Sequence, residues 1–276
     1  MIVALIDNGS LEPAAHRNLR AVATALSRAT GVTVHAVSWK HSDRIPDAQL
    51  DDTPAWTLAP FVRSLLALGQ REFVFVPFFI SAQGAIGSSL RRELESLQRE
   101  AGAFEFSFTD GIAARGVIAD IVAERIRAII ASKTLPSNPP VIVVDHGGPS
   151  PASATLRNQL AAQIRERLGF APALVMAASM EGDDHAHNRP LLAEVLASPG
   201  FDRGPVVIAP LFLSPGRHAG PDGDLAQIAR AAESRIPSHA LRCHFTELVG
   251  THPLSVLTLA DALRTTLSSL HAPILP

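Results

Sequence analysis

A single cysteine, Cys243, in 276 residues excludes an internal disulfide, a thiolate zinc site and an iron–sulfur cluster supplied by this chain alone. Neither sign of charge predominates. The 24 basic and 26 acidic residues leave a formal net charge of -2, which gives no electrostatic basis for binding nucleic acid or a membrane surface. Only Lys40 and Lys133 among the basic residues are lysines. No apolar run reaches the roughly 20 residues of a membrane span. The start, Met1-Ile2-Val3-Ala4-Leu5-Ile6-Asp7, lacks a basic leader and reads as a first strand, so a cytoplasmic location is the expectation. Nucleotide signatures are missing too: there is no GxxxxGK followed by Ser or Thr, and no GxGxxG after a strand, so neither ATP nor NAD is expected. The absence of a GxSxG elbow argues against a serine hydrolase.

What is present is a hydrophobic content of 47%, enough for a sizeable core, arranged as strands alternating with helices. Val141-Ile142-Val143-Val144 is a β-branched run with no polar face, the pattern of a parallel strand covered on both sides. It leads into Asp145-His146-Gly147-Gly148, where glycines permit a sharp turn beside a titratable ring. Leu156, Leu160, Ile164 and Leu168 then recur at helical spacing, and Gly169 closes that helix. Further strands are expected at Leu174 to Ala178, Val206 to Leu213 and Leu241 to Phe245. A last helix is expected over Leu254 to Leu270.

The same order occurs earlier in the chain. Asp7-Asn8-Gly9 aligns with Asp145-His146-Gly147, a spacing of 138 (145 − 7). Pro13 and Gly31 fall on Pro151 and Gly169 at that spacing, and the strand ending Pro77-Phe78-Phe79-Ile80-Ser81 aligns with Pro210-Leu211-Phe212-Leu213-Ser214. The chain is therefore read as α/β, with two tandem, duplicated domains, each a mainly parallel four-stranded sheet flanked by helices. The expected boundaries are 1–131 and 141–276, joined by 132–140 with its three prolines.

Three titratable side chains of the second half follow three successive strands: His146, Glu181 and His218. Parallel strands linked by right-handed crossovers end on one edge, so these loops should converge. Two imidazoles and a carboxylate suit a borderline divalent metal such as cobalt, iron, nickel or zinc, and also suit proton abstraction near neutral pH. The first half carries Asn8 and Lys40 at the matching places, with Ala85 or a neighbour for His218; all three have lost ligand character while the framework remains. Asp183, Asp184, His185 and His187 form a second polar cluster after Glu181, a solvated loop or a place to capture metal. Arg189 and Arg217 near the same rim are candidates for pairing with substrate carboxylates. His252 is expected to open the last helix, with Thr251 as its cap and Pro253 in its first turn.

Taken together, Val144-Asp145-His146-Gly147, Ser179-Met180-Glu181, Pro210 to His218 and Gly250-Thr251-His252-Pro253 resemble the class II, ATP-independent tetrapyrrole chelatases. The branch they resemble is the sirohydrochlorin cobalto- and ferrochelatases, which includes duplicated members. The resemblance implies insertion of cobalt or iron, with nickel as a further candidate, into sirohydrochlorin or a related metal-free tetrapyrrole. It implies His146, Glu181 and His218 as catalytic and metal-binding residues, with no nucleotide, and the metal as substrate. The alternative is a non-catalytic metal or tetrapyrrole carrier using the same rim. The duplication lets a monomer supply two lobes.

Overall fold

The computed structural model describes residues 1–80, 85–235 and 237–270. Two sheets organise them, both wholly parallel. In the first, β1 (Ile2–Asp7) is the apolar strand that starts the chain, followed by α1 (Pro13–Thr30) and β2 (Val34–Ser38). Then come the two-residue β3 (Trp56–Thr57), α2 (Leu58–Ala67), β4 (Glu72–Pro77), α3 (Ala85–Ala101), β5 (Glu105–Phe108) and α4 (Ile118–Ser132). The second series is β6 (Val141–Asp145), α5 (Pro151–Leu168), β7 (Val175–Ser179), the single turn α6 (Leu192–Val195), β8 (Pro205–Pro210), α7 (Asp224–Arg235), β9 (Arg242–Phe245) and α8 (Pro253–Leu270).

Strand order is β3-β2-β1-β4-β5 in one sheet and β7-β6-β8-β9 in the other. Removing β3 makes the two orders identical, so the duplicated α/β reading holds. The first sheet has one more strand than expected, because a two-residue segment carries no periodicity. Its counterpart in the second sheet is a single bridge, Ser179 to Leu191. The repeats also begin and end their first helices alike. Pro13 and Pro151 take the first helical positions, where no backbone donor is missed. Gly31 and Gly169 close them with φ of +76° and +70°, the left-handed conformation that glycine adopts without strain.

Each sheet is covered by its own core. Ala4, Ile6, Val37, Phe61, Phe73, Phe75 and Leu94 fill one side of the first; Ile142, Val144, Ala178, Leu192, Val206, Ile208 and Leu225 fill one side of the second. Fully burying a side chain of this size contributes about 1.5–3 kcal/mol, so two such clusters stabilise two separate sheets.

The compact units are drawn differently from the sequence halves. One is Met1–Arg115 together with Gly250 onward, the other Gly116–Val249. Helix α4 packs on α5 and helix α8 on α1. The ion pair Asp120–Arg167 and the bond from Arg264 to the carbonyl of Ala29 fasten these two contacts. Residues 132–140 join α4 to β6 and fall inside the second of these units. An apolar stripe specifies that a helix is buried but not on which copy of a repeated scaffold, and like elements can be exchanged at little cost in contacts. Among the described residues no helix is long and apolar enough to cross a membrane.

Candidate active site

In the second unit β6 runs between β7 on one side and β8 on the other. The connection from β6 goes to β7 on one side and the next runs from β7 past β6 to β8 on the other, the reversal at which open α/β sheets form a crevice at the carboxyl ends of their strands. His146 is the first residue past β6. Pairing continues beyond the strands: Met180 N–H donates to the Asp145 carbonyl at 2.8 Å and Glu181 N–H to the His146 carbonyl at 3.1 Å. That pairing sets His146 beside Glu181. Gly147 makes it sterically feasible. With φ +84°, a Cβ there would lie 2.1 Å from the Glu181 carbonyl oxygen.

His218 is held from the start of α7. Leu225 N–H, in the helix's first turn, donates to the His218 carbonyl at 3.1 Å, and Asp224 N–H donates to the Arg217 carbonyl at 3.2 Å. The turn comes so close that a Cβ on Gly223 would sit 2.6 Å from the His218 carbonyl oxygen. The Asp224 carboxylate then accepts a bond from His218 Nδ1 at 2.6 Å. Backbone and side chain of one helix start therefore aim the same ring.

The two rings meet edge to face, with centroids 4.6 Å apart, and their Nε2 atoms are 3.3 Å apart. His146 Nε2 is also 3.4 Å from Glu181 Oε1. The outer contacts decide what those nitrogens offer. His146 Nδ1 lies 2.9 Å from the Gly147 carbonyl and His218 Nδ1 faces a carboxylate; both are acceptors, so each Nδ1 carries the proton. In the tautomer with the proton on both Nδ1 atoms, two Nε2 lone pairs face each other. A cation between them relieves that opposition. For a tetrahedral ion with metal–nitrogen bonds of about 2.0–2.1 Å, ligand atoms stand roughly 3.3–3.4 Å apart, the spacing of both edges that meet at His146 Nε2. As the side chains stand, no group of three or more His, Cys, Asp or Glu among the described residues is arranged to hold a metal ion. The pair presents two ring nitrogens beside a carboxylate, and the Glu181 side chain is 56% exposed.

Below the rim lies a layer the sequence reading missed. Arg157, on α5, is 2% exposed. Its Nη1 donates to Ser179 Oγ and its Nη2 to the His187 carbonyl, and Ser179 Oγ donates onward to Asp145 Oδ1 at 2.7 Å. Burial pushes the Asp145 carboxyl upward, opposed by Ser179 and by Arg157. Asn188, also 2% exposed, accepts from Gly148 N–H at 3.3 Å and donates to the Gly148 and Gly182 carbonyls at 3.1 and 2.9 Å. It thus latches the loop after His146 to the loop after Glu181.

The first unit repeats the backbone of this site. Trp39 N–H donates to the Asp7 carbonyl, Lys40 N–H to the Asn8 carbonyl, and a Cβ on Gly9 would meet the Lys40 carbonyl oxygen at 1.7 Å. Asn8 and Lys40 therefore occupy the places of His146 and Glu181; the Ala85 side chain lies outside the described residues. The guanidinium is absent too, because Leu19 stands at the repeat position of Arg157. Burial raises the Asp7 carboxyl to about 6, against bonds from Ser38 and the Gly9 N–H that lower it, and burial lowers His16 to about 4.

That contrast gives a pH-dependent prediction. A carboxyl raised from 3.8 to about 6 in the folded state binds a proton more tightly folded than unfolded. Its stabilising contribution is present below about pH 4 and lost as pH rises through 6. Asp7→Asn is expected to raise stability at pH 7 by about 1–3 kcal/mol, with the gain vanishing near pH 4. Urea unfolding of both proteins at the two pH values measures this; an equal difference at both contradicts it.

The other expected residues separate. Arg217 Nε is 3.8 Å from Asp224 Oδ2, with 79% of its side chain exposed, so it stands on the rim beside His218. Arg189 instead pairs with Glu194. In the polar loop His185 and His187 stack at 5.3 Å, His185 faces Asp184 at 3.6 Å, and His187 Nε2 donates to the Gly148 carbonyl at 2.8 Å. His252 opens α8, as expected, but its own Nδ1 accepts from Leu254 N–H at 3.1 Å. The cap is the buried imidazole, while Thr251 is exposed.

A family model described as CbiX matches residues 2–129 and again 140–266, which bears out the duplication and the family resemblance carried by the motifs. Solved structures share the fold. SirB from Bacillus subtilis with Fe3+ aligns at a TM-score of 0.64 and 13% identity, covering 96% of each chain. The sirohydrochlorin chelatase SirB from Bacillus subtilis subspecies spizizenii in complex with cobalt aligns at 0.62 and 13%, covering 98% of this chain and 97% of that one. CbiX, described as the terminal enzyme for biosynthesis of siroheme in denitrifying bacteria, aligns at 0.59 and 17%, covering 96% and 97%. Among proteins of curated function, none matches this sequence.

Proposed function

This chain belongs to the CbiX family, and on that premise we propose that it inserts cobalt or iron into sirohydrochlorin or a related metal-free tetrapyrrole, without ATP. The observation that carries the reading is the His146–His218 pair, with Nε2 atoms 3.3 Å apart and both Nδ1 atoms already engaged. The solved SirB structures with Fe3+ and with cobalt support metal as the substrate.

The reaction exchanges one divalent ion for the two protons on the macrocycle's pyrrole nitrogens, so no redox or nucleotide co-reactant is required. His146 and His218 receive the ion between their Nε2 lone pairs, with Glu181 offsetting one of its two positive charges. Transfer of the ion to the macrocycle frees those lone pairs as the pyrrole N–H groups must lose their protons. The same nitrogens then accept them, with Glu181 as a second acceptor. Arg217, exposed beside His218, is placed to pair with a peripheral carboxylate of the macrocycle. Cobalt and iron are both accommodated by imidazole and carboxylate donors, and nickel is a third candidate on the same chemistry.

An anaerobic mixture of protein, metal-free sirohydrochlorin and cobalt or iron tests the proposal by absorbance. Insertion well above the protein-free rate with either metal is expected; the background rate with both overturns it. Asp224→Ala releases the His218 ring while removing no direct ligand. It is expected to lower kcat about 10–100-fold with the macrocycle KM little changed, measured in the same assay.

A further inference from the structure

We propose that Arg157 is a positioning residue for the second unit's site, setting His146 and Glu181 through the ends of the two strands that carry them. The proposal rests on the functional reading above. Its guanidinium is buried beneath the rim, and it is held by groups from three other segments as well as by Asn158 of its own helix. Nη1 reaches Ser179 Oγ, the Asn188 carbonyl at 3.3 Å and Asp145 Oδ1 at 3.6 Å. Nη2 reaches the His187 carbonyl at 3.2 Å, and Nε reaches Asn158 Oδ1 at 3.0 Å.

The placement of these partners gives the inference its content. Asp145 immediately precedes His146, and Ser179 lies two residues before Glu181. The third anchor, the 187–188 backbone, ends the loop whose Asn188 side chain clasps Gly148 and Gly182, the residues flanking the two site loops on their far sides. One side chain therefore fixes the approach to His146 and Glu181 from beneath. A planar guanidinium with five donors in a fixed fork meets several acceptors at once, which a lysine ammonium on a flexible stem does not reproduce.

The first unit supplies an internal comparison. Arg20 also leaves its first helix to hold loop carbonyls after the second strand, those of Leu50, Thr53 and Pro54 at 2.9, 2.6 and 3.1 Å. That is the structural half of the arrangement. The link to the strand-end carboxylate occurs through Arg157, in the unit that has histidine rather than asparagine after that carboxylate.

The test compares wild type, Arg157→Met, Arg157→Lys, Ser179→Ala and Arg20→Met. Thermal melts give the folded fraction, insertion kinetics give kcat and KM, and a cobalt(II) titration without macrocycle is read from visible absorbance. Arg157→Met is expected to lose about 10-fold or more in kcat per folded protein and in cobalt affinity, with the macrocycle KM within about twofold. Arg157→Lys should recover only part of the loss, and Arg20→Met should match wild type in both readouts. If Arg157→Met does not fold, Arg157→Lys and Ser179→Ala carry the test by the same criteria. Folded Arg157 variants that keep wild-type kcat and cobalt affinity, or an Arg20→Met that loses as much, overturn the proposal. A wild type that binds cobalt but inserts nothing overturns the functional reading instead, and the titration then decides the role of Arg157.

Discussion

Replacing either His146 or His218 with alanine is expected to lower the rate of metal insertion by at least about 100-fold, the low end of what a positioned acid–base or ligand group contributes. The fold should survive, because the two side chains are 46% and 30% exposed and pack into no core. The sharper expectation concerns the double variant. Nε2 atoms 3.3 Å apart face one ion, so losing the first imidazole removes most of what the second does. The double variant should be only a few-fold slower than the worse single one, whereas independent groups would multiply to about 10,000-fold. Asn8→Ala, at the matching place in the first unit, should leave the rate unchanged. Initial rates with cobalt for these five proteins settle it, and a multiplicative double variant would separate the two histidines into different steps.

Gly147→Ala and Gly9→Ala form the second pair of large effects. Their φ values are +84° and +85°, and an added Cβ would fall 2.1 Å and 1.7 Å from the Glu181 and Lys40 carbonyl oxygens. Neither oxygen is the end of a flexible chain; moving it means moving the strand-end pairing itself. Each substitution is expected to cost about 3 kcal/mol or more, combining the left-handed backbone penalty with the displaced backbone. Denaturant midpoints should fall in both. Activity should distinguish them. Corrected for folded fraction, Gly9→Ala should insert metal at the wild-type rate, because its strain falls on Asn8 and Lys40. Gly147→Ala should lose about 10-fold or more, because Glu181 and His146 are the residues forced apart. Equal residual activities would mean that the carbonyl–glycine contact has no bearing on the site.

These predictions rest on features whose legibility in the sequence differs for physical reasons. Val141 to Val144 announces itself because a strand covered on both faces has no polar alternation, and Pro151 with Gly169 bracket the next helix through backbone constraints that need no tertiary context. His146, Glu181 and His218 could be placed on one rim because parallel strands share a carboxyl edge. Their supports could not. Arg157 lies on a helix, where an arginine ordinarily reaches solvent, and only the folded loop at 187–188 shows why it is buried. Asp224 reads as an ordinary acid in a helix's first turn; its bond to His218 depends on the loop between β8 and α7, residues 211–223, folding back. The packing of α4 on α5 and of α8 on α1 is illegible for a different reason. Two copies of one scaffold offer each helix the same apolar surface, so its stripe cannot name its partner. Likewise Thr251 has the commoner capping side chain, yet the geometry gave the cap to His252.

The most direct measurement is the yield of metallated product per protein chain, under anaerobic conditions, with cobalt and metal-free sirohydrochlorin in large excess and no nucleotide. A chelatase working through His146 and His218 produces many equivalents per chain, and the His146→Ala/His218→Ala double variant at most a small fraction of that in the same time. Product that stops at one equivalent per chain or fewer, with metal and macrocycle still in excess, would instead identify a carrier and contradict the account.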